Sequence, residues 1–385
     1  MNIELKQKLQ NVLKNEIAQG EIPFGSLLVQ KDGKELCYLE EGVTRDAIFR
    51  MYSMTKPVTS AAIMKLMEQG KIEYTDSVSK YLPGFAGQMA MENGKITPVK
   101  REVAIRDLMC MTSGLVYEDD LGPAGENTRM VFDDIIEKLS TKHPVTTIEA
   151  ANRLGKGILA FQPGTTWNYG SSADVLGAIV EIVSGKRFGE FLQDEFFTPL
   201  EMEDTGFFVP ENKRNRLVTS FQKTDTHTFI PYTGCRLGIN NAMDKNPAFE
   251  SGGAGLASTI DDYSHFAQML LQKGNYKGRQ ILQEKTVDFM TSPKLTARQC
   301  ETLGWGIGHE GYNYGNLMRI MEDEKKASIA GYNGDYGWDG WLGTYFCNSP
   351  AQNMTILFMT QRTDSGWLSV SKKLKNLLYF YDSSK

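Results

Sequence analysis

The sequence predicts an α/β (α+β) protein: an antiparallel sheet assembled from both chain ends and flanked by helices, with a mainly helical region inserted between. Three observations predict it. A hairpin signal follows the first helical segment, strand-like runs return only toward the C-terminus, and the stretch between them carries helical periodicity. The implied units are a discontinuous α/β domain, 1–70 with 255–385, and a helical domain, 71–254, with a cleft expected at the seam.

Met1 to Gln19 sets Ile3, Leu5, Leu9, Val12, Leu13 and Ile17 at helical spacing among charges, the pattern of an amphipathic helix and not of a signal peptide. Phe24 to Lys31 and Lys34 to Glu40 then flank Asp32-Gly33, a strong hairpin signal. Ala61 to Met67, Ile105 to Met111, Asp174 to Val183 and Asp261 to Leu271 carry apolar residues at i, i+3, i+4 and i+7. Leu82-Pro83-Gly84 and Gln162-Pro163-Gly164 punctuate them. Gly304 to Gly308, Lys326 to Gly331, Trp341 to Cys347 and Met354 to Thr360 read as short strands, and Val370 to Tyr381 as a closing helix.

The 385 residues are 41% hydrophobic, with 42 Lys+Arg against 47 Asp+Glu. That supports a large core and excludes a disordered chain. With a formal charge of -5 and no basic block, neither a nucleic acid nor an anionic membrane is an expected partner. No apolar run approaches the length of a membrane span. Five scattered cysteines form no CxxC pair, so buried free thiols and a cytoplasmic location are expected. His143, His227, His265 and His309 show no metal-ligand spacing, and no metal or cofactor is expected. Gly-x-Ser-x-Gly, Gly-Lys-Ser/Thr and His-Glu-x-x-His are all absent, so a hydrolase here needs a base other than histidine.

Ser-x-x-Lys can supply a nucleophile and a base together, because residues i and i+3 share a helix face with Cβ atoms about 5–6 Å apart. The chain has four such pairs: Ser53-Lys56, Ser77-Lys80, Ser220-Lys223 and Ser369-Lys372. Only Ser53 lies immediately before an apolar helix, where unpaired amides and the helix dipole favour developing negative charge. Ser77 follows Tyr74-Thr75-Asp76 and reads as a cap. A tyrosine held near a lysine can relay the proton to a leaving group. Tyr169, in Asn168-Tyr169-Gly170-Ser171 at the entrance of the Asp174 helix, fits that role better than Tyr314 in a glycine-rich stretch or Tyr381 at the chain end.

Five segments in order carry a resemblance: Phe49 to Thr59, Val103 to Leu115 with its Thr112-Ser113-Gly114, Phe161 to Gly177, Gly252 to Tyr263, and Trp338 to Phe346. In these the chain resembles the serine β-lactamase and penicillin-binding-protein superfamily, specifically the class C β-lactamase-related hydrolases, and most closely the family VIII carboxylesterases. The resemblance implies a β-lactamase/transpeptidase-like fold, with Ser53 as acylated nucleophile, Lys56 as its activator and Tyr169 as base and then acid. It implies an oxyanion hole from the backbone N–H groups of Ser53 and Trp341, each donor contributing about 3–4 kcal/mol. Trp338-Asp339-Gly340 matches the third motif, on a strand bordering the cleft.

Where β-lactamases carry a third-motif lysine and a Tyr-x-Asn asparagine, this chain has Trp338 and Ser171. Losing a cation opposite a carboxylate removes a charge-assisted contact. Trp338 and Trp341, with Tyr117, instead suggest an aromatic wall for an uncharged acyl or alcohol group. Tyr117, Ser171, Trp338, Asp339 and Gly340 are thus the expected substrate contacts. Met111, where the family usually has histidine, reads as packing. The expected activity is a carboxylesterase of small to medium esters. Acyl transfer from the same acyl-enzyme, weak β-lactamase or D-specific peptidase activity, and a non-catalytic binding protein are the alternatives.

Overall fold

The computed structural model describes residues 1–120, 122–303, 309–366 and 368–381. Five helices build the core and the site: α1 (Ile3–Ala18), α2 (Thr55–Glu68), α3 (Ser172–Ser184), α4 (Ile260–Leu271) and α5 (Ser369–Phe380). Among the described residues none is long and apolar enough to cross a membrane. The Asn2 side chain starts α1 by accepting from the Glu4 and Leu5 amides, and the helical spacing turns Leu5, Leu9 and Leu13 inward.

The hairpin is β1 (Gly25–Lys31) and β2 (Lys34–Glu41), turning at Asp32 and Gly33 with φ of 53° and 71°. Both angles are left-handed, as a two-residue turn that follows the strand twist requires. Five strands come from the other chain end: β3 (Tyr312–Gly315), β4 (Met318–Met321), β5 (Tyr336–Asp339), β6 (Tyr345–Ser349) and β7 (Met354–Met359). The order is β3-β4-β5-β6-β7-β1-β2, antiparallel throughout, with Leu28 of β1 opposite Leu357 of β7.

Alternation along the strands splits the core in two. Leu27, Val29, Ile356 and Phe358 meet Leu5, Leu9, Leu13, Val370, Leu374 and Leu378 from α1 and α5. Leu28, Phe346, Leu357 and Met359 face the main core, shared with α2 and α4. Each fully buried leucine contributes about 2 kcal/mol. Helix α2 is buried at every position from Thr55 to Met64, and its neighbours include α3 and β5. It is therefore a central helix and not a surface one. The inserted region holds Pro123–Lys138, Thr147–Gly155 and α3, with small hairpins such as Met89–Glu92 with Lys95–Pro98.

The C-terminal strands depart from the sequence reading. Lys326 to Gly331 is turn and irregular chain: β4 pairs directly with β5 through Arg319 and Gly337, and the Ala330 amide donates to the Asn376 side chain instead of to a ladder. Tyr312 to Met321, which reads as a loop from its glycine and asparagines, is a hairpin turning at Asn316 and Leu317. Every residue of β3 and β4 is buried, so no alternation marks them. Trp341 to Thr344 is a turn, with β6 starting only at Tyr345. The Gly304 to Gly308 run lies outside the described residues. All five cysteines are free, but only Cys37, Cys110 and Cys347 are buried; Cys300 is half-buried and Cys235, beside a short exposed hairpin, is exposed.

Candidate active site

Ser53 lies in a single tight turn, Tyr52–Met54, that feeds straight into α2. Tyr52 has φ of 43°, a conformation a bulky residue adopts only when its surroundings impose it. Three bonds clamp the turn. Met51 N–H donates to the Leu256 carbonyl at 2.8 Å, Tyr263 Oη to the Met54 carbonyl at 2.8 Å, and Thr344 Oγ1 to the Met51 carbonyl at 3.2 Å. The nucleophile turn is thereby pinned from α4 and from the β5–β6 connection.

One helical turn on, Lys56 is fully buried, and its Nζ donates to Ser53 Oγ at 3.1 Å, Tyr117 Oη at 2.9 Å and the Gly253 carbonyl at 2.9 Å. All three partners are neutral oxygens. Burial disfavours the ammonium and lowers the lysine pKa to about 7; the carboxylates of Asp174 and Asp339 offset only part of this. Lys56 Nζ also lies 4.5 Å from the ring centroid of Tyr169. The Tyr169 phenol oxygen accepts from the indole N–H of Trp338 at 2.9 Å and is hydrogen-bonded to Ser53. Burial drives the phenol pKa upward, with those two bonds working against it, so Tyr169 holds its proton in the resting site. Tyr117 packs edge-on to Tyr169 with centroids 5.5 Å apart.

On the β5 side, Trp338 is buried between Tyr169 and Tyr314, with the Arg319 guanidinium 5.3 Å from its ring and bonded to Asp339 at 2.8 Å. A Cβ on Gly340 would meet Thr344 Oγ1 at 2.2 Å and the Met51 carbonyl oxygen at 2.4 Å. Only glycine lets this strand end lie against the nucleophile turn. Trp341 is half-buried, packs tilted against Tyr52 with ring centroids 5.0 Å apart and donates from Nε1 to Asp364. Among the described residues, neither the Ser53 nor the Trp341 backbone N–H donates to another protein group.

The structure therefore gathers Ser53, Lys56, Tyr169, Tyr117 and Trp338 at one point, and it corrects several expected substrate contacts. Ser171 is wholly buried with its hydroxyl turned to the Val116 carbonyl at 3.4 Å. Asp339 is committed to Arg319, and Gly340 is a close-packing glycine. Trp338 is buried against the Tyr169 phenol and Tyr117 bonds Lys56; of the expected aromatic wall, Tyr117 and Trp341 are half-buried. The competing pairs are occupied elsewhere: Ser77 bonds Glu102 while Lys80 bonds Asp76, and Ser220 bonds Asn241 while Lys223 bonds Glu21. Ser369 is exposed at the start of α5. Met111 is buried with φ of 56° and its carbonyl holds the Asn168 amide, which fits packing.

Two neighbours of Lys56 carry no motif of their own, Gly253 and Asp174. The available signal was one carboxylate in the apolar run Ala173-Asp174-Val175-Leu176, since an acidic residue on a buried helix face is uncommon unless it has a partner.

Known proteins agree with this architecture. A profile of the Beta-lactamase family matches residues 9–378. The chain is 27% identical to N-acetylmuramyl-L-alanine amidase of Bacillus subtilis over 387 residues, covering 92% of this chain and 80% of that one. It is 25% identical to Esterase EstB of Burkholderia gladioli over 336 residues, covering 83% and 79%. The solved structure of EstCE1, described as a hydrolase with promiscuous acyltransferase activity, superposes with a TM-score of 0.81 at 24% identity over 97% of this chain and 98% of that one. Ser-x-x-Lys at the head of a buried helix, a tyrosine beside it and a matching profile along nearly the whole length lead to one assignment: the chain belongs to the Beta-lactamase family of serine hydrolases.

Proposed function

We propose that the protein is a carboxylesterase of small to medium esters that works through an acyl-enzyme on Ser53. The observation that carries this reading is the Lys56 amine, buried, 3.1 Å from Ser53 Oγ, with its pKa lowered to about 7. A free amine at neutral pH can take the Ser53 proton directly as Oγ attacks the ester carbon. The carbonyl electron pair moves onto oxygen, and the unpaired N–H groups of Ser53 and Trp341 are placed to hold it. On collapse the leaving alkoxide takes the Tyr169 proton, leaving a phenolate beside the new Lys56 ammonium. In deacylation water gives its proton to that phenolate, and Ser53 Oγ leaves with the proton from Lys56. Tyr169 thus acts first as acid and then as base, the reverse of the order the resemblance implied, because burial keeps the resting phenol protonated.

The neutral Trp338 supports esters over β-lactams or D-Ala-D-Ala termini, since it bonds the tyrosine as a lysine could but offers no charge to a substrate carboxylate. Five free thiols support a reducing cytoplasm as the location. The test is intact-mass labelling by a fluorophosphonate together with p-nitrophenyl acetate hydrolysis across pH. A single adduct on the Ser53 peptide and an acid limb near pH 7 are expected. No adduct on folded protein would overturn the reading, and nitrocefin turnover exceeding ester turnover would favour the β-lactamase alternative.

Trp338→Phe removes the donor that stabilises the Tyr169 phenolate while keeping an aromatic, smaller ring. A hydrogen bond to a charged group contributes about 1.5–3 kcal/mol, so kcat/KM for an alkyl ester should fall roughly ten- to hundredfold. For a p-nitrophenyl ester, whose leaving group needs no proton, the loss should be smaller. Equal losses on both substrates would contradict Tyr169 as the acid.

A further inference from the structure

Asp174 is a buried carboxylate that the mechanism above leaves unused. It stands in the first turn of α3, five residues after Tyr169, with Ala173, Val175 and Leu176 wholly buried around it. Its Oδ1 accepts from the Ser251 hydroxyl and, at 3.1 Å, from the Gly253 amide. The carbonyl of that same Gly253 receives Lys56 Nζ at 2.9 Å. The Ser251 hydroxyl accepts in turn from the Ala254 amide at 2.9 Å, so residues 251–254 close on one carboxylate.

Gly253 is wedged in place. A Cβ there would lie 2.9 Å from Asp174 Oδ2 and 3.2 Å from Tyr117 Oη. Burying a carboxylate is costly unless a cation or strong donors compensate. Burial pushes the Asp174 carboxyl above its usual range, while the Ser251 hydroxyl, Lys56 and the Gly253 amide favour its ionised form. The groups that face Lys56 are Ser53 on its own element, Tyr117 and Tyr169 on two loops, Asp174 on α3 and Asp339 on β5.

We infer that Asp174 is a positioning residue for the proposed esterase reaction: it aims the Gly253 carbonyl at Lys56 and stabilises the ammonium that forms when Lys56 takes the Ser53 proton. The inference rests on the acyl-enzyme reading. It separates into a geometric part, which an amide oxygen can supply, and a charge part, which it cannot. Removing the negative charge makes the ammonium less favourable, so the lysine titrates at a lower pH.

The test compares Asp174→Asn and Asp174→Ala with wild type in p-nitrophenyl acetate hydrolysis across pH, with thermal melts confirming the fold. Asp174→Asn should move the acid limb of kcat to lower pH and lower the plateau about threefold, with KM unchanged. Asp174→Ala should lower kcat at least tenfold, the asparagine restoring most of the difference. A wild-type acid limb in folded Asp174→Asn overturns the inference. Should the Asp174 variants fail to fold, Ser251→Ala decides: it keeps the charge and strips one donor, so kcat should fall several-fold with the limb unmoved, and an unchanged kcat overturns the inference. Inactive wild type would instead refute the esterase reading itself and this inference with it.

Discussion

Ser53→Ala is expected to lower ester hydrolysis by a factor on the order of 10⁴ or more, to the level the remaining site provides by binding and electrostatics alone. The size follows from what the hydroxyl does. It is the only atom of the Ser53 side chain that can form the acyl bond, and Lys56 and Tyr169 act on it or on what it expels. The fold should survive, because Ser53 is 8% exposed, a methyl group occupies less space than the hydroxymethyl, and Lys56 keeps Tyr117 and Gly253 as partners. Single-turnover assays with intact mass would show no acyl adduct and a melting temperature within a few degrees of wild type. Persisting turnover would return the nucleophile to an unassigned serine.

Lys56→Met should be nearly as damaging, by a factor on the order of 10³ or more, since it removes the amine 3.1 Å from Ser53 Oγ, and the Tyr169 phenol bonded to Ser53 is kept protonated by burial. It carries a second signature in stability. The folded lysine titrates at about 7 and the unfolded one near the ordinary lysine value of 10.5, so between those values the unfolded chain holds the extra proton. Wild-type stability attributable to this group is therefore absent below pH 7, rises through pH 7 to 10, and is complete above the unfolded value. The slope approaches about 1.4 kcal/mol per pH unit within that window. Urea melts at pH 6, 7.5 and 9 should show wild type gaining on Lys56→Met as pH rises. A constant difference across the three would mean that Lys56 is not held neutral. The same arithmetic says that the site is built at the expense of stability: a buried amine near pKa 7 is a poor core residue and a good base.

What was legible from sequence follows from local physics. The Asp32-Gly33 turn, the apolar spacing of α1, α2, α4 and α5, and the placement of Ser53 at the head of α2 depend on residues close in the chain. The resemblance then pointed to Tyr169 and Trp338, which the structure brings together beside Ser53. Less legible were segments whose burial erases pattern. Strands β3 and β4 are buried at every position and turn through Asn316-Leu317, so the sequence shows glycine and asparagine where the structure shows a ladder. Lys326 to Gly331 has strand-like residues, but β4 pairs directly with β5 and the Ala330 amide is taken by the Asn376 side chain.

The sequence by itself determined which chemistry is present: a serine with a lysine one helical turn away, a loop tyrosine, and a tryptophan where a relative would carry a cation. Only the tertiary structure decided how those groups are tuned. In the proposed mechanism Lys56 can serve as a base because the start of α2 is buried and its amine bonds only the neutral oxygens of Tyr117, Gly253 and Ser53, with the Asp174 and Asp339 carboxylates offsetting only part of the burial. Trp338 donates to Tyr169 where Gly340 lets β5 lie against the Ser53 turn, and Ser171 turns its hydroxyl to the Val116 carbonyl where Gly170 lets the chain lie against Leu115 and Val116. Residue identity fixes which groups can react; burial and partners brought from distant parts of the chain fix their pKa values and directions, and these set the reaction order.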